Sequence, residues 1–391
     1  MHMLLWIFYL SSYCVLSVNA WYDCPRAVCT SCLSAEIHDA PGVGFDLTPS
    51  YGTAVAHYYN GSVVEIAHVQ GNSEYLEYMA RLVSSPEPQD ETKTLPQHIA
   101  RWLHVSDAWS RKCGRWLLKK LGYSTKDGIE IISDLLRELK DSTEREILQS
   151  LDRVAITIPD LSSLRQKTIN AALEDLGLRT WLGDSPYYPK RLVEADAVYA
   201  ANGYGLCKNY RNIFECTDEF EASFASPAVF LVSFSRHLLY TAISTPLYGE
   251  ALAIVTTDEA QVLDFEFGLD RLFQDDSQAL WDRLRQQLLV LPRESEFTVT
   301  HIFLAGESAT NPRFLAVWKD ALSELSPMLS QDSKMTVANS SETLNPTFAA
   351  ARGAALYSRR RQEVQADCEE PPECEIMRQQ GQARSFGKQD L

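Results

Sequence analysis

A strand–turn–strand pattern near the N-terminus constrains the fold of this chain more than any other feature. The run at residues 43–47 (VGFDL) is typical of a buried strand, and the small residues at 51–56 (YGTAVA) are typical of a second one. Thr48, Pro49 and Ser50 lie between these runs and favour a turn. The pattern therefore predicts a hairpin with the carboxylate of Asp46 close to its turn.

Composition limits the classes of protein to which such a hairpin can belong. The 391 residues are 45% hydrophobic, which is enough to bury one large core or two lobes. The formal net charge of −16 argues against nucleic-acid binding, which needs clustered Lys and Arg. The sequence contains no Ser-His-Asp order, HExxH motif, Walker A loop or dinucleotide-binding fingerprint. A globular protein without a familiar catalytic motif is expected.

Several segments, taken in order, resemble the ATPase domain of the heat-shock protein 70 branch of the actin-like ATPase superfamily. The hairpin is similar to the family's phosphate loop. The later segments resemble its next strand and helix (AVITVPA…RQAT…AGL), its cleft helix (NEPTAAALAYG), its adenosine motif (VLLVGGSTRIP) and its closing helix (NPDEAVAYGAA). In this chain the segments lie at residues 43–56, 154–178, 194–205, 302–312 and 345–355. The resemblance implies an α/β fold, the two-lobed actin-like ATPase (ribonuclease H-like) fold.

The resemblance and the local composition together predict the domain organisation. The regions are a signal peptide at 1–20, a cysteine-rich segment at 21–42, lobe I at 43–205, lobe II plus the closing helix at 206–357, and a polar, flexible tail at 358–391. Compared with the family, the outer subdomains are trimmed. Nothing after residue 356 resembles the family's peptide-holding β-sandwich, so no C-terminal peptide-binding domain is expected.

The resemblance implies ATP or ADP with Mg²⁺ as the ligand of the cleft. It assigns vestigial catalytic positions to Asp46, which orients metal-bound water in the family, and to Glu194, the cleft glutamate. The family's nucleotide-binding positions are occupied here by Ser50, Tyr51, Gly306 and Ser308.

Departures from the family pattern weaken this expectation. Thr48 replaces the phosphate-loop glycine, and Pro49 removes both a hydroxyl and an N–H donor. Each hydrogen bond lost to a charged phosphate costs about 1.5–3 kcal/mol. In the second phosphate segment Ser233 stands where the family has a carboxylate. The substitutions predict weak or absent nucleotide binding, no catalytic residue and no metal ligand set.

Arg236 and His237 fill glycine positions of that second segment and are predicted to occupy the cleft. In one interpretation Arg236 supplies positive charge to a phosphate. In the favoured interpretation it crosses the cleft and pairs with Asp46 or Glu194, because a buried carboxylate without a partner is costly.

The N-terminus is typical of a secretory signal, with an apolar run at residues 4–18 and a small-residue cleavage site that ends at Ala20. An uncleaved anchor is the alternative, although the run is short for a bilayer span, and no later membrane span is expected. Cys14 lies in the signal. The remaining cysteines are predicted to form disulfides in an oxidising compartment: Cys24, Cys29, Cys32, Cys113, Cys207, Cys216, Cys368 and Cys374.

Two of these cysteine patterns allow a more specific expectation. The Cys29–Cys32 CxxC pair is interpreted as a structural staple, because it precedes the first long strand instead of opening a helix. A Cys368–Cys374 bridge is expected to tie the polar tail. Asn60 and Asn339 lie in glycosylation sequons. The final residues, KQDL, resemble an endoplasmic reticulum retrieval signal, which favours the reticulum lumen over the extracellular space.

Apolar periodicity predicts further elements of the two lobes. Helices are expected at residues 95–121, with a stripe of Trp102, Trp109 and Trp116, at 126–151 and at about 278–289. Strands are expected at 228–232, 238–243, 251–256 and 260–267.

Three functions agree with these observations. The first is a non-catalytic, heat-shock protein 70-like binding or scaffold module of the secretory pathway, acting on a protein partner or client. The second is a slow ATPase that regulates protein folding. The third is a secreted, disulfide-stabilised structural or effector-like protein.

Overall fold

The computed structural model of the protein describes residues 27–84, 128–159, 161, 164, 166–183, 191–208, 210–211, 216, 219, 227–246, 256–275, 277–325, 334–336, 344–365 and 368–380. The strands in these ranges are β1 Ala27–Val28, β2 Gly42–Leu47, β3 Tyr51–His57, β4 Val63–Gln70, β5 Arg153–Ile158, β6 Arg179–Thr180, β7 Leu192–Val193, β8 Val229–Phe234, β9 Leu239–Pro246, β10 Thr256–Asp264, β11 His301–Ala305, β12 Lys334–Thr336 and β13 Cys368–Glu369.

The α-helices of the same ranges are α1 Ala35–Asp39, α2 Ser73–Ser84, α3 Gly128–Ile147, α4 Gln166–Asp175, α5 Glu194–Ala201, α6 Leu269–Asp275, α7 Gln278–Glu294, α8 Pro312–Leu325, α9 Ala349–Arg361 and α10 Glu373–Gln379. A 3-10 turn, Phe265–Phe267, follows β10. The chain therefore has a mixed α/β fold, as predicted. No helix within the described ranges is long and apolar enough to cross a membrane.

The chain divides into two compact units. The small unit takes its described residues from both ends of the sequence, 27–38 and 363–380, and the large unit spans residues 39–362. The sequence pattern treated the N-terminal cysteine-rich segment and the C-terminal tail as separate regions. In the structure they belong to one unit.

The small unit is held by two disulfides. Cys29 is bonded to Cys368 and Cys32 to Cys374, across 339 and 342 residues of sequence. Next to these bridges β1 pairs with β13 in parallel. The predicted Cys368–Cys374 bridge is therefore wrong, because each of these cysteines faces a partner from the other end of the chain. The CxxC cysteines do serve a structural purpose, as predicted.

The C-terminal segment contains regular structure where a flexible tail was predicted. Helix α9 continues through Arg361, and α10 follows strand β13. Glu370 accepts a hydrogen bond from the backbone N–H of Leu33 and lies 2.7 Å from Nη1 of Arg378. These contacts lie within the small unit and give the polar sequence its local order.

The large unit contains two mixed sheets with the same strand order. Sheet I has the order β4-β3-β2-β5-β6, with β7 also paired to β5, and sheet II has the order β10-β9-β8-β11-β12. The first three strands of each sheet, in chain order, pair antiparallel with one another. The first of them, β2 or β8, also pairs in parallel with β5 or β11, which in turn pairs in parallel with β6 or β12. Helix α4 follows β5 in sheet I, and α8 follows β11 in sheet II.

The registers of the two sheets are also equivalent. Leu47 pairs with Gly52 across the first hairpin, and Phe234 pairs with Leu239 across the second, so each hairpin closes with a four-residue turn. Counting back from the turns, Asp46 lies in the same place as Ser233. The parallel partner of Asp46 is Thr157, whereas that of Ser233 is Ala305. The repeat therefore extends to individual residue positions.

Helices cover both faces of sheet I. A Cβ at Gly44 would lie 2.1 Å from the backbone nitrogen of Ala355, so the backbone of α9 packs directly on β2. A Cβ at Gly52 would instead meet the side chain of Leu139, which belongs to α3. Central strands that are covered on both faces become fully buried, which explains the apolar composition of β2.

The predicted helices and strands in the described ranges are present. The core face of α3 is buried through Ile132, Leu135, Leu136 and Leu139. Strands β8 and β9 form the predicted pair, and α7 extends beyond its predicted end. The predicted strand at 260–267 is replaced by β10 and the 3-10 turn, with β10 ending at Asp264.

Several predictions lie outside the described residues. They concern the signal peptide with Cys14, the helix and tryptophan stripe at 95–121, the strand residues 251–255, the terminal KQDL sequence, and Cys24, Cys113 and Asn339.

Candidate functional site

The first turn, residues 48–51, joins β2 to β3 and is closed by the side chain of Thr48. The Thr48 hydroxyl oxygen accepts the N–H groups of Ser50 and Tyr51, at 3.2 and 3.0 Å. It also donates to the carbonyl oxygen of Tyr51, and the N–H of Thr48 donates to the same oxygen. Pro49 has no N–H. Every backbone N–H in the first turn is therefore bonded within the turn.

The second turn, residues 235–238, has the same construction. The Ser235 hydroxyl accepts the N–H groups of His237 and Leu238, at 3.4 and 3.2 Å, and donates to the carbonyl oxygen of Leu238. The N–H of Ser235 donates to that oxygen as well. The remaining N–H, that of Arg236, donates to Oε1 of Glu307 at 3.2 Å. A Ser or Thr hydroxyl thus bonds two backbone N–H groups in each turn.

The two turns contact each other directly. Ser50 Oγ lies 3.0 Å from Nδ1 of His237. A serine hydroxyl beside an imidazole is also the arrangement of a nucleophile and its base. Ser50 is completely buried, however, so a substrate cannot reach its oxygen. The pair is a structural contact between the turn of sheet I and the turn of sheet II.

Arg236 does not cross the cleft. Its guanidinium forms two hydrogen bonds to the carboxylate of Asp270, at 3.2 and 2.9 Å, and about half of the side chain is exposed. The prediction that it pairs with Asp46 or Glu194 is therefore wrong. Asp270 lies at the start of α6, and its backbone N–H donates to the carbonyl oxygen of Arg236. This backbone bond keeps the Asp270 carboxylate within reach of the Arg236 guanidinium.

Glu307 connects sheet II to sheet I. It follows β11, and its carboxylate contacts His68 Nε2 at 3.1 Å and the amide nitrogen of Gln70, both on β4. Burial alone would raise the pKa of Glu307, but the bonds from His68, the Arg236 N–H and Gln70 outweigh it, so the pKa is lowered. Glu307 therefore remains an anion in a largely enclosed place.

Asp46 is buried beneath the first turn. It accepts a 2.6 Å hydrogen bond from the hydroxyl of Thr157. Burial raises the pKa of Asp46 from 3.8 to about 7, although the Thr157 bond opposes this change. Glu194 is also buried, at the start of α5. Burial, followed by the charges of Asp46 and Glu194, raises the pKa of Tyr51 well above its usual range. The interior here is rich in acidic groups.

The candidate adenosine positions have their backbone groups engaged by the protein. Gly306 has φ +97°, and a Cβ there would lie 2.3 Å from the carbonyl oxygen of Phe234, so only glycine fits. Its N–H donates to the carbonyl of Pro346, and the N–H of Ser308 donates to that of Phe234. This turn is closely held between β8 and the segment before α9.

These residues do not fit a magnesium nucleotide. Phosphate loops bind through free backbone N–H groups, and every N–H of both turns is already bonded. The Glu307 carboxylate adds negative charge beside the second turn. Within the described ranges no cluster of three or more His, Cys, Asp or Glu side chains could hold a metal ion.

The remaining predicted sites are the disulfide cysteines and the glycosylation sequons. Cys207 and Cys216 form the third disulfide, so six of the predicted cysteines are bridged. Asn60 lies on an exposed turn between β3 and β4, where its side chain accepts the N–H and hydroxyl of Ser62. Its exposure is what glycosylation at that sequon requires.

Sequence reasoning missed the roles of His68 and Gln70. They are two residues apart on β4 and so project from the same face of the strand. The one signal in the sequence was Glu307 itself, because it is a charged residue among the small residues of a turn that follows a buried strand. Its partners lie more than two hundred residues away in the sequence, and only the fold brings them together.

Comparison with known proteins adds no assignment: no protein-family model matches the chain, and no curated protein sequence matches it.

Proposed function

We propose that the chain is a divergent, heat-shock protein 70-like member of the actin-like ATPase superfamily that acts in the secretory pathway as a non-catalytic binding or scaffold module for a protein partner. In this proposal the cleft between the two sheets no longer binds a nucleotide. The cleft contacts instead hold the lobes in one arrangement that a partner recognises.

The repeated strand order supports the family part of the proposal. An actin-like protein is built from two lobes of related topology, and sheets I and II share order, strand direction and turn length. The segments that resemble the family are consistent with this arrangement. The phosphate-loop segment forms β2, its turn and β3, and the adenosine-like segment runs from β11 into α8.

The observation that carries the non-catalytic part is the bonding of the two turns. Each backbone N–H that a phosphate would need donates to Thr48, Tyr51, Ser235, Leu238 or Glu307 instead. A nucleotide would have to break several of these bonds and displace the Ser50–His237 contact before it gained any of its own. Each such bond contributes about 0.5–1.5 kcal/mol, and more where Glu307 is the acceptor.

Three disulfides support the compartment assigned in the proposal. Such bridges form and persist in the reticulum lumen and outside the cell, and they are rare in the reducing cytosol. Two of them join cysteines 339 and 342 residues apart, so each forms only after synthesis has passed its second cysteine, Cys368 or Cys374.

Calorimetric titration of the oxidised protein with MgATP and MgADP tests the proposal. We expect no binding at micromolar nucleotide. Micromolar affinity would contradict it, and ATP hydrolysis abolished by Asp46→Ala would support the slow-ATPase alternative. Mass spectrometry of the peptides around Cys29 and Cys368 first verifies that the small unit is oxidised in the sample.

A further inference from the structure

Three hydrogen-bond donors converge on the carboxylate of Glu307. They are Nε2 of His68, the amide nitrogen of Gln70 and the backbone N–H of Arg236. An ionised carboxylate only accepts hydrogen bonds, so His68 must carry a proton on Nε2. We call these three donors the Glu307 cradle. They come from two sheets and surround one anionic group.

Two of the three donors, His68 and the Arg236 N–H, are held by structure that does not depend on the Glu307 side chain. His68 packs against the ring of Tyr51 with 4.8 Å between ring centroids. The Arg236 N–H is oriented by the second turn, whose bonds are made by Ser235. The backbone around Glu307 is fixed by the Gly306 and Ser308 bonds to Pro346 and Phe234. Removing the carboxylate therefore leaves the His68 ring and the Arg236 N–H in place.

The surroundings favour a negatively charged occupant. The Glu307 side chain is only 9% exposed, yet its pKa is lowered, since the hydrogen bonds from the cradle outweigh its burial. A place that stabilises a buried carboxylate by donors of this kind also suits other small oxoanions. The His68 side chain keeps 29% of its surface exposed, which leaves a route from solvent past β4.

We propose that the cradle is an oxoanion-binding site occupied by the chain's own Glu307, and that it accepts the carboxylate or phosphate group of an external ligand when Glu307 moves out. Glu307 then acts as an internal competitor, and its release separates β4 from the second turn. Oxoanion binding by these donors requires neither the proposed family nor a nucleotide at the first turn.

The test measures oxoanion binding by the oxidised full chain with and without the internal carboxylate. Glu307→Ala is titrated calorimetrically with sodium phosphate, sodium sulfate and sodium acetate at constant ionic strength. We expect the variant to bind at least one of these anions about tenfold or more tightly than the unmodified protein does. Tightest binding of acetate would identify a carboxylate ligand, and tightest binding of phosphate a phosphorylated one.

A matched double variant identifies the donors. His68→Phe with Glu307→Ala keeps an aromatic ring against Tyr51 but removes one donor, so the affinity should fall about tenfold or more. Equal anion affinity in Glu307→Ala and the unmodified protein would overturn the proposal. So would equal affinity in the single and double variants.

A measurement on the unmodified protein covers the case in which Glu307→Ala does not fold. Nitrogen-15 NMR of the His68 ring should find the proton on Nε2, either as that neutral tautomer or as the imidazolium. A neutral ring protonated on Nδ1 would show that His68 does not donate to Glu307 and would also overturn the proposal.

Discussion

Asp46 in sheet I and Ser233 in sheet II occupy equivalent positions, two residues before equivalent turns, but their surroundings differ. Asp46 accepts the hydroxyl of Thr157, whereas the parallel partner of Ser233 is Ala305. In each of the turns that follow, the side-chain hydroxyl of the first residue accepts backbone N–H groups, although no position of the two turns has the same residue type. The two sheets therefore share their backbone bonding at this place, while the side chains at equivalent positions differ in charge and in hydrogen-bonding capacity.

A second difference between the sheets lies at Gly44 and its equivalent, Leu231. In sheet I the backbone of α9 lies where a side chain would be, and in sheet II Leu231 itself fills the core. The same position therefore has opposite steric requirements in the two sheets. Equivalent topology does not make the two sheets interchangeable in sequence.

Of the substitutions considered, Gly44→Ala is expected to lower the stability of the protein most, because it places a side chain where sheet I has none. Its Cβ would lie 2.1 Å from the Ala355 nitrogen and 2.4 Å from the Ala351 oxygen. These are helix backbone atoms that cannot rotate away, so we expect a loss of at least about 3 kcal/mol of unfolding free energy, by urea denaturation.

Gly61→Ala is the matched control for that substitution. Gly61 has φ +83° with no atom close to its Cβ direction, so only left-handed strain of about 1–2 kcal/mol is expected. A smaller loss for Gly44→Ala than for Gly61→Ala would show that α9 does not pack closely on β2.

The next largest effect concerns Asp46, a buried carboxylate whose equivalent in sheet II is the uncharged Ser233. The pKa of Asp46 is about 7 in the folded protein against 3.8 normally. Because the folded value is raised, this group's stabilisation is complete below about pH 4, declines as pH rises, and is lost once pH passes about 7. The shift corresponds to at most about 4 kcal/mol between these limits.

Asp46→Asn keeps an acceptor for Thr157 but cannot ionise. We expect urea midpoints of the variant and the unmodified protein to be similar near pH 4.5 and the variant to be the more stable at pH 8. Parallel pH profiles for the two proteins would rule out a raised Asp46 pKa.

The smallest effect compares the turn hydroxyls. Thr48→Ala and Ser235→Ala each remove an acceptor of two N–H groups, but the Thr48 bonds are shorter. We expect losses of about 2 kcal/mol for Thr48→Ala and about 1 kcal/mol for Ser235→Ala, measured by thermal and urea unfolding. Thr48→Ser should recover most of the loss. A larger loss at Ser235 would reverse the ranking.

Helices and strands whose positions depend on local apolar patterning were predictable from the sequence. The periodicity of α3, the buried run of β2 and the strand pair β8–β9 followed from hydrophobic spacing alone. These elements are specified by burial of their own residues, so no distant partner had to be known.

Pairings between distant residues were not predictable in the same way. The sequence offers several acidic residues as possible partners of Arg236. Its partner in the structure is Asp270, 34 residues onward, because the first turn of α6 lies against the backbone of Arg236. The partners of Cys368 and Cys374 lie near the other end of the chain, and cysteine connectivity does not follow from spacing. The contacts of Glu307 depend on the placement of sheet I against sheet II, which no local sequence pattern reveals.

Hydrogen–deuterium exchange of the two turns, with and without MgATP, tests most directly whether their N–H groups are closed to a nucleotide. Exchange is followed by mass spectrometry of peptides that contain residues 48–51 and 235–238 of the oxidised protein. We predict slow exchange of the Ser50, Tyr51 and Leu238 amides, unchanged by millimolar MgATP. Exchange in both turns that changes on addition of MgATP would contradict the account, because it would show that these donors remain available to phosphate.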